Sequence, residues 1–261
     1  MTLPAAIERI RPAIVQIRVA GEDAVLGTGF FVDEDGPNVV TAKHVLDAGR
    51  RAVGAADVTF TVGMAAPNAD DVGGANVALR GLFTLLPAHV VAEDGANDLG
   101  VLRVTLQNPF RGELPALVAV DGVEVRSEVA VAPLSVVRPV EGVTVASSGY
   151  PLANSVLITN TGVVASAWAT APDAADLGVG IAIFEPVDRY VIDLEVNPGH
   201  SGGPVYLAED GSVIGVCVAT QTAPVTRGGE PFAVAGVRLG YSSGLTIAIP
   251  SRYVTALIDR L

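Results

Sequence analysis

Short runs of Val, Ile, Leu and Thr, broken at close intervals by Gly, Pro, Asp and Asn, recur along almost the whole chain. Branched apolar residues in alternating or continuous runs suit a pleated sheet, and the punctuating Gly and Pro suit turns. In the first half the pattern predicts strands at Ile14–Val19, Leu26–Val32, Val39–Ala42, Val58–Val62, Asn76–Phe83 and Leu99–Thr105. In the second half it predicts Val129–Ala132, Val143–Ser148, Val156–Ala165, Tyr190–Val196, Pro204–Tyr206, Val213–Thr220, Phe232–Val237 and Leu245–Ile249. Helical spacing is confined to a turn at Val45–Ala48 and a closing helix over Ser251–Leu261. Gln107–Gly122, rich in Pro and Gly, reads as the connection between two sets of strands.

Composition narrows what such a chain can be. Half of its 261 residues are hydrophobic and 17% are charged, which supplies a sizeable core for one all-β domain. The net charge of −12 argues against the basic patches that nucleic acid or an anionic membrane surface would require. No apolar stretch is long enough to span a bilayer without polar interruption. The start, Met1-Thr2-Leu3-Pro4-Ala5, with Glu8 and Arg9 close behind, lacks the apolar centre of a secretory signal. A cytoplasmic protein is the expectation, with a trimmed secreted form as the alternative. The one cysteine, Cys217, excludes an intrachain disulfide and reads as a small buried hydrophobe in its strand.

Candidate chemistry sits at three places. In Asn197-Pro198-Gly199-His200-Ser201-Gly202-Gly203-Pro204 a serine stands among glycines, which permit a tight turn that exposes its hydroxyl. The same turn can aim the amides of Gly199 and Ser201 into one small space, as the oxyanion of an acyl-transfer intermediate requires. Alone, this is also how a Gly/Pro turn with a polar tip reads. His44 ends the apolar run Val39-Val40-Thr41-Ala42 and would alone read as a satisfied, partly buried histidine. Asp98 opens the run Leu99–Val104 and would alone be a strand-start residue; Asp94 competes for its role. The chain order His44, Asp98, Ser201 is that of one convergent version of the serine triad and not of the others.

Together with Gly27-Thr28-Gly29-Phe30, Thr41-Ala42-Lys43-His44-Val45, Asn97-Asp98-Leu99, Ser148-Gly149-Tyr150-Pro151 and Ile247-Ala248-Ile249-Pro250, these motifs resemble the trypsin-like serine peptidases. The resemblance is closer to their bacterial HtrA-like (DegP-like) branch and runs over nearly the whole chain. Ile7–Val19 resembles the strand that opens that domain. The resemblance implies an all-β, chymotrypsin-like fold of two packed six-stranded antiparallel barrels, approximately 1–120 and 121–261, with a short C-terminal helix. It implies a serine endopeptidase with His44 as general base, Asp98 as its orienting partner, Ser201 as nucleophile, and Gly199 and Ser201 forming the oxyanion hole. The substrate is a peptide or protein, and no metal or organic cofactor is called for. A catalytically weak peptide-binding or chaperone-like protein on the same fold is the alternative.

By the same resemblance the substrate backbone would add to the strand edge Val216–Thr220, closest to Val218, Ala219 and Thr220. Glu195, six positions before the nucleophile, falls where trypsin-like enzymes keep the base of the primary specificity pocket. A carboxylate there selects basic side chains, the HtrA-like branch prefers aliphatic ones, and a one-residue shift of register would turn Glu195 outward. The chain departs from the family in three ways. His200 replaces the usual Asn before the nucleophile, and the His44-to-Asp98 separation is longer, with Gly63–Gly74 reading as a loop insertion. A PDZ domain, which usually follows in that branch, is not expected after Leu261. His89 and the pair Asp70-Asp71 lack the spacing of metal ligands, Trp168 reads as packing, and Gly228-Gly229 reads as a hairpin loop.

Overall fold

The opening residues fold as helix and not as the strand that the resemblance placed over Ile7–Val19. In the computed structural model α1 spans Leu3–Ile10 and a 3-10 turn covers Arg11–Ala13, so extended backbone begins only at Ile14. Pro4 lies in the first turn, where its missing N–H is no loss, and Ala6 and Ile10, one turn apart, are buried. The structure describes every residue except 33–36, 66–82, 106, 109–111, 114–116, 121–122, 127–129, 155, 171–174, 177–181, 184–185, 229 and 235–236.

Six strands make the first barrel: β1 (Ile14–Val19), β2 (Val25–Phe31), β3 (Asn38–Ala42), β4 (Phe60–Ala65), β5 (Phe83–Asp94) and β6 (Leu99–Val104). They close in the order β1-β2-β3-β6-β5-β4. The second barrel contains β7 (Thr144–Gly149), β8 (Ile158–Ser166), β9 (Tyr190–Asp193), β10 (Pro204–Leu207), β11 (Val213–Pro224) and β12 (Gly240–Pro250). Its closure, β7-β8-β9-β12-β11-β10, repeats the order of the first. The expected pair of six-stranded antiparallel barrels is therefore present, and closure leaves no sheet edge along most of each strand. The closing helix, here α3, covers Ser251–Ile258.

Several expected elements differ in extent. The helix after β3, α2, is three turns long (Lys43–Val53) and not a single turn, because Val45, Leu46 and Gly49 give it a buried face before Gly54 ends it at φ +71°. Asn76–Phe83 falls outside the described residues apart from Phe83, where β5 begins. Pro87 obscured β5 in the sequence; the strand tolerates it opposite Thr61, and bulges between Val90 and Ala92. Residues 130–132 are not a strand: the Ala132 amide donates to the Phe31 carbonyl at 2.8 Å as the chain crosses the first barrel. Phe232–Val237 is broken too, since Ala233–Val234 pairs with Val237–Arg238 on the ribbon joining β11 to β12. Gln107–Gly122 lies between the barrels in the chain and carries short local pairings, and the insertion beyond Ala65 lies outside the described residues.

Ile14, Ile17, Phe30, Phe60 and Leu102 fill the first barrel, and Val145, Ile192, Val205, Ile214 and Cys217 the second. Tyr206, Val216 and Ile249 of the second barrel belong to the same apolar cluster as the first barrel's interior. The seam between barrels is thus part of the core, and it is where the candidate residues meet.

Candidate active site

The N-terminus of α2 has no cap of its own, because Ala42 stands where a Ser or Asp would accept its free amides. Asp98 supplies the cap from immediately before the start of the neighbouring strand, β6. Its carbonyl accepts the Lys43 amide at 2.9 Å and its Oδ1 accepts the His44 amide at 2.8 Å. The other carboxylate oxygen, Oδ2, lies 2.6 Å from His44 Nδ1. A carboxylate can only accept here, so Nδ1 carries the proton and Nε2 is left with the basic lone pair. Asp98 holds this position at φ +51°, a left-handed conformation that costs a non-glycine residue on the order of 1 kcal/mol. Asp94, the competing carboxylate, does other work. Against burial, which raises it, the pKa of Asp94 is held below the ordinary carboxylate value because it accepts the Asn97 side chain at 2.6 Å and the amides of Asn97 and Ala96 at 3.1 and 3.0 Å.

The serine loop allots its amides selectively. His200 N–H donates to the Asn197 carbonyl (3.0 Å), Gly202 N–H to Cys217 (2.7 Å) and Gly203 N–H to His200 (2.8 Å). Among the described residues no acceptor takes the amides of Gly199 and Ser201. The Pro198 carbonyl accepts the Leu152 amide at 2.7 Å. Since a trans peptide sets C=O and N–H on opposite sides, the Gly199 N–H points away from Leu152. Leu152 does this at φ +54°, the other described non-glycine residue in the left-handed region. Gly199 (φ +104°) and Gly202 (φ +85°) need glycine's freedom, and a Cβ on Gly202 would collide with the Thr28 carbonyl and the Thr41 hydroxyl.

Thr28, on β2, ties this loop to the first barrel. Its amide donates to the Ser201 carbonyl at 2.9 Å, and its hydroxyl donates to the Gly199 carbonyl at 2.7 Å while accepting the Tyr150 amide at 2.9 Å. Beside it, a Cβ on Gly27 would stand 2.9 Å from the Ser201 carbonyl and 2.7 Å from Val45 Cγ2. The Ser201 backbone therefore lies close to Val45 in the first turn of α2, the turn that carries His44. His44 and Asp98 are both partly open to solvent, at 43% and 34% of the side chain.

His200 faces the other way. Its ring is fully buried against Gly149, neither nitrogen finds a partner of good hydrogen-bond geometry among the described residues, and burial pushes its pKa down to about 4, an effect that the Ile158 backbone, near but poorly aligned, opposes only weakly. A cavity of about 400 Å³ opens beside Ser201, lined by Val196, Pro198, Cys217, Ala219, Thr220 and Tyr241 among others. Ala219 and Thr220 face it. Val218 is buried outside its lining, and Glu195, between buried Leu194 and Val196, is turned to solvent and does not line it. Up to Cys217 one edge of β11 is occupied by β10 and Gly203; beyond it that edge carries no strand among the described residues. A larger cavity, about 600 Å³, lies on the first barrel among Arg50, Asp57, Phe60, His89 and Glu93 and contains none of these groups. Trp168 is half exposed and packs under the Arg138 guanidinium, 3.9 Å from the ring centre, and not in a core. Among the described residues no three His, Cys, Asp or Glu side chains group as a metal site would, and no helix is long and apolar enough to cross a membrane.

The trypsin-like peptidase domain family matches residues 27–216. The HtrA-type protease AlgW with a tripeptide superposes with a TM-score of 0.59 at 19% identity, covering 99% of this chain and 63% of that one. A serine endoprotease from Yersinia pestis gives 0.57 at 18%, covering 100% and 66%, and the Rv3671c protease in its inactive form gives 0.56 at 19%, covering 98% and 91%. At these identities the likeness is one of fold, and the chain spans less than two thirds of the AlgW structure's length. No curated protein matches the chain.

Proposed function

Since the chain belongs to the trypsin-like peptidase domain family, we propose that it is a serine endopeptidase working through His44, Asp98 and Ser201. The observation that carries this reading is the 2.6 Å contact of Asp98 with His44 Nδ1, which leaves Nε2 free to act as a base beside the serine loop. Ser201 Oγ attacks the scissile carbonyl carbon as its proton passes to His44 Nε2, and Asp98 stabilises the resulting imidazolium. The oxyanion that forms is met by the unspent amides of Gly199 and Ser201. Collapse breaks the C–N bond, His44 gives its proton to the leaving amine, and an acyl group remains on Ser201. Water then attacks that ester with His44 again as base, and Ser201 recovers its proton. The substrate backbone is accommodated along the free edge of β11 after Cys217, with its side chain in the cavity beside Ala219 and Thr220.

A fluorophosphonate probe, which phosphonylates activated serines, tests the reading when wild type and Ser201→Ala are compared for labelling and peptide hydrolysis. Both should fall by about 10³-fold or more in the variant. Undiminished cleavage by folded Ser201→Ala would remove Ser201 as nucleophile. Peptide binding by a wild type that the probe does not label would favour a binding protein on this fold.

A further inference from the structure

We propose that Arg189, from the second barrel, is a positioning residue that fixes the turn carrying the catalytic carboxylate of the first. The proposal rests on Asp98 being the orienting carboxylate of the triad. Asp98 is held at φ +51°, and such a conformation persists only where its surroundings over-determine it. The turn of residues 95–98 is secured from its own side by Asp94, which takes the amides of Ala96 and Asn97 and the side-chain NH2 of Asn97. The Ala96 carbonyl and Asn97 Oδ1 are acceptors of the same turn that Asp94 cannot serve. Arg189 takes both with one guanidinium fork: Nη2 donates to Ala96 O at 2.8 Å and Nη1 to Asn97 Oδ1 at 2.9 Å. With Nδ2 on Asp94 and Oδ1 on Arg189, the orientation of the Asn97 amide is fixed from both ends.

The base of the fork is itself anchored. Asp188, next in the chain, accepts from Arg138 at 2.8 Å, from the Tyr253 hydroxyl at 2.7 Å, and from Arg252 of α3. A two-pronged planar donor with a fixed base defines both where the turn sits and how it is rotated, which a single ammonium cannot do. Arg189 thereby acts on His44 only through the turn and Asp98.

The test compares Arg189→Ala and Arg189→Lys with wild type by steady-state kinetics, thermal unfolding, and the low-field proton resonance of His44 Nδ1–H, recorded in a Ser201→Ala background. The expected result is a fall in kcat of about tenfold or more at a KM within about twofold, as small misplacements of a catalytic group produce. The Nδ1–H resonance should broaden or vanish, Lys should rescue only in part, and Arg189→Ala with Asn97→Ala should lose no more than Arg189→Ala alone. Wild-type kcat and an intact resonance in folded Arg189→Ala would overturn the proposal, as would a loss of kcat matched by the fraction unfolded. Failure of the triad reading looks different: the wild type would not react with the probe, or its resonance would survive Asp98→Asn.

Discussion

Thr28 and Gly199 belong to different barrels, yet the Thr28 hydroxyl donates to the Gly199 carbonyl at 2.7 Å and accepts the Tyr150 amide at 2.9 Å in the same buried spot. Thr28→Val keeps the shape but strands both partners, and each unpaired buried group costs about 1–3 kcal/mol. Urea unfolding should show stability lost on that scale, kcat should fall with it, and Thr28→Ser should restore most of both. A Val variant as stable and active as wild type would show that the hydroxyl contributes nothing to the seam.

Substitutions at two left-handed positions should differ sharply in effect. Gly202→Ala introduces a Cβ at φ +85° into the Thr28 carbonyl and Thr41 hydroxyl, and soluble active protein should not be recovered. Leu152→Gly keeps the amide that holds Pro198, loses a side chain 65% exposed, and relieves strain at φ +54°. The relief of about 1 kcal/mol is offset by the greater freedom of glycine in the unfolded chain, so Tm and kcat should stay near wild type. Leu152→Pro, which removes the donor and whose ring also forbids φ +54°, should lose kcat.

His200 makes the fold sensitive to acid. Its pKa is about 4 when buried and 6.5 when exposed, so it is depressed in the folded state. Its contribution is fully present above pH 6.5 and is lost as pH falls toward 4, because the unfolded chain takes up a proton that the native chain refuses. The loss across that window is on the order of 3 kcal/mol. Unfolding free energies of wild type and His200→Asn, measured from pH 7.5 to 4, should differ in slope between those limits. Activity should survive His200→Asn and be abolished by His44→Ala; the reverse pattern would overturn the assignment of the base.

Both barrels were legible in the sequence, because alternation and turn residues are local signals. The serine loop, the histidine at the end of β3 and the aspartate before β6 were legible for the same reason. What escaped depends on partners distant in the chain. Nothing near Arg189 announces that it will meet Ala96 and Asn97. Thr28 stood inside a recognised motif with no role, since its partners Gly199 and Tyr150 lie in the other barrel. The opening helix escaped because Ala6 and Ile10 give only two buried positions, too few for a period to emerge. Val218 was placed at the substrate edge, but the bulge between Cys217 and Ala219 turns it inward.

Specificity follows from which side chains reach the cavity. Glu195 does not, and among the described residues no charged group lines it. Cleavage of a peptide library should therefore be dominated by cuts after Val, Ala or Leu, with the profile unchanged in Glu195→Gln. Cuts after Arg or Lys that disappear in that variant would show that Glu195 reaches the substrate.

If His44, Asp98 and Ser201 act as proposed, their division across the seam also has a consequence in time. A ribosome delivers the half with His44 and Asp98 first, and that half holds a base with nothing to activate. Ser201 arrives later, on a loop whose two free amides gain their setting only when Thr28 of the earlier half takes hold of it. Under the proposed assignment, a peptidase assembled this way would spare its own nascent chain, becoming competent only once one finished half had docked upon the other.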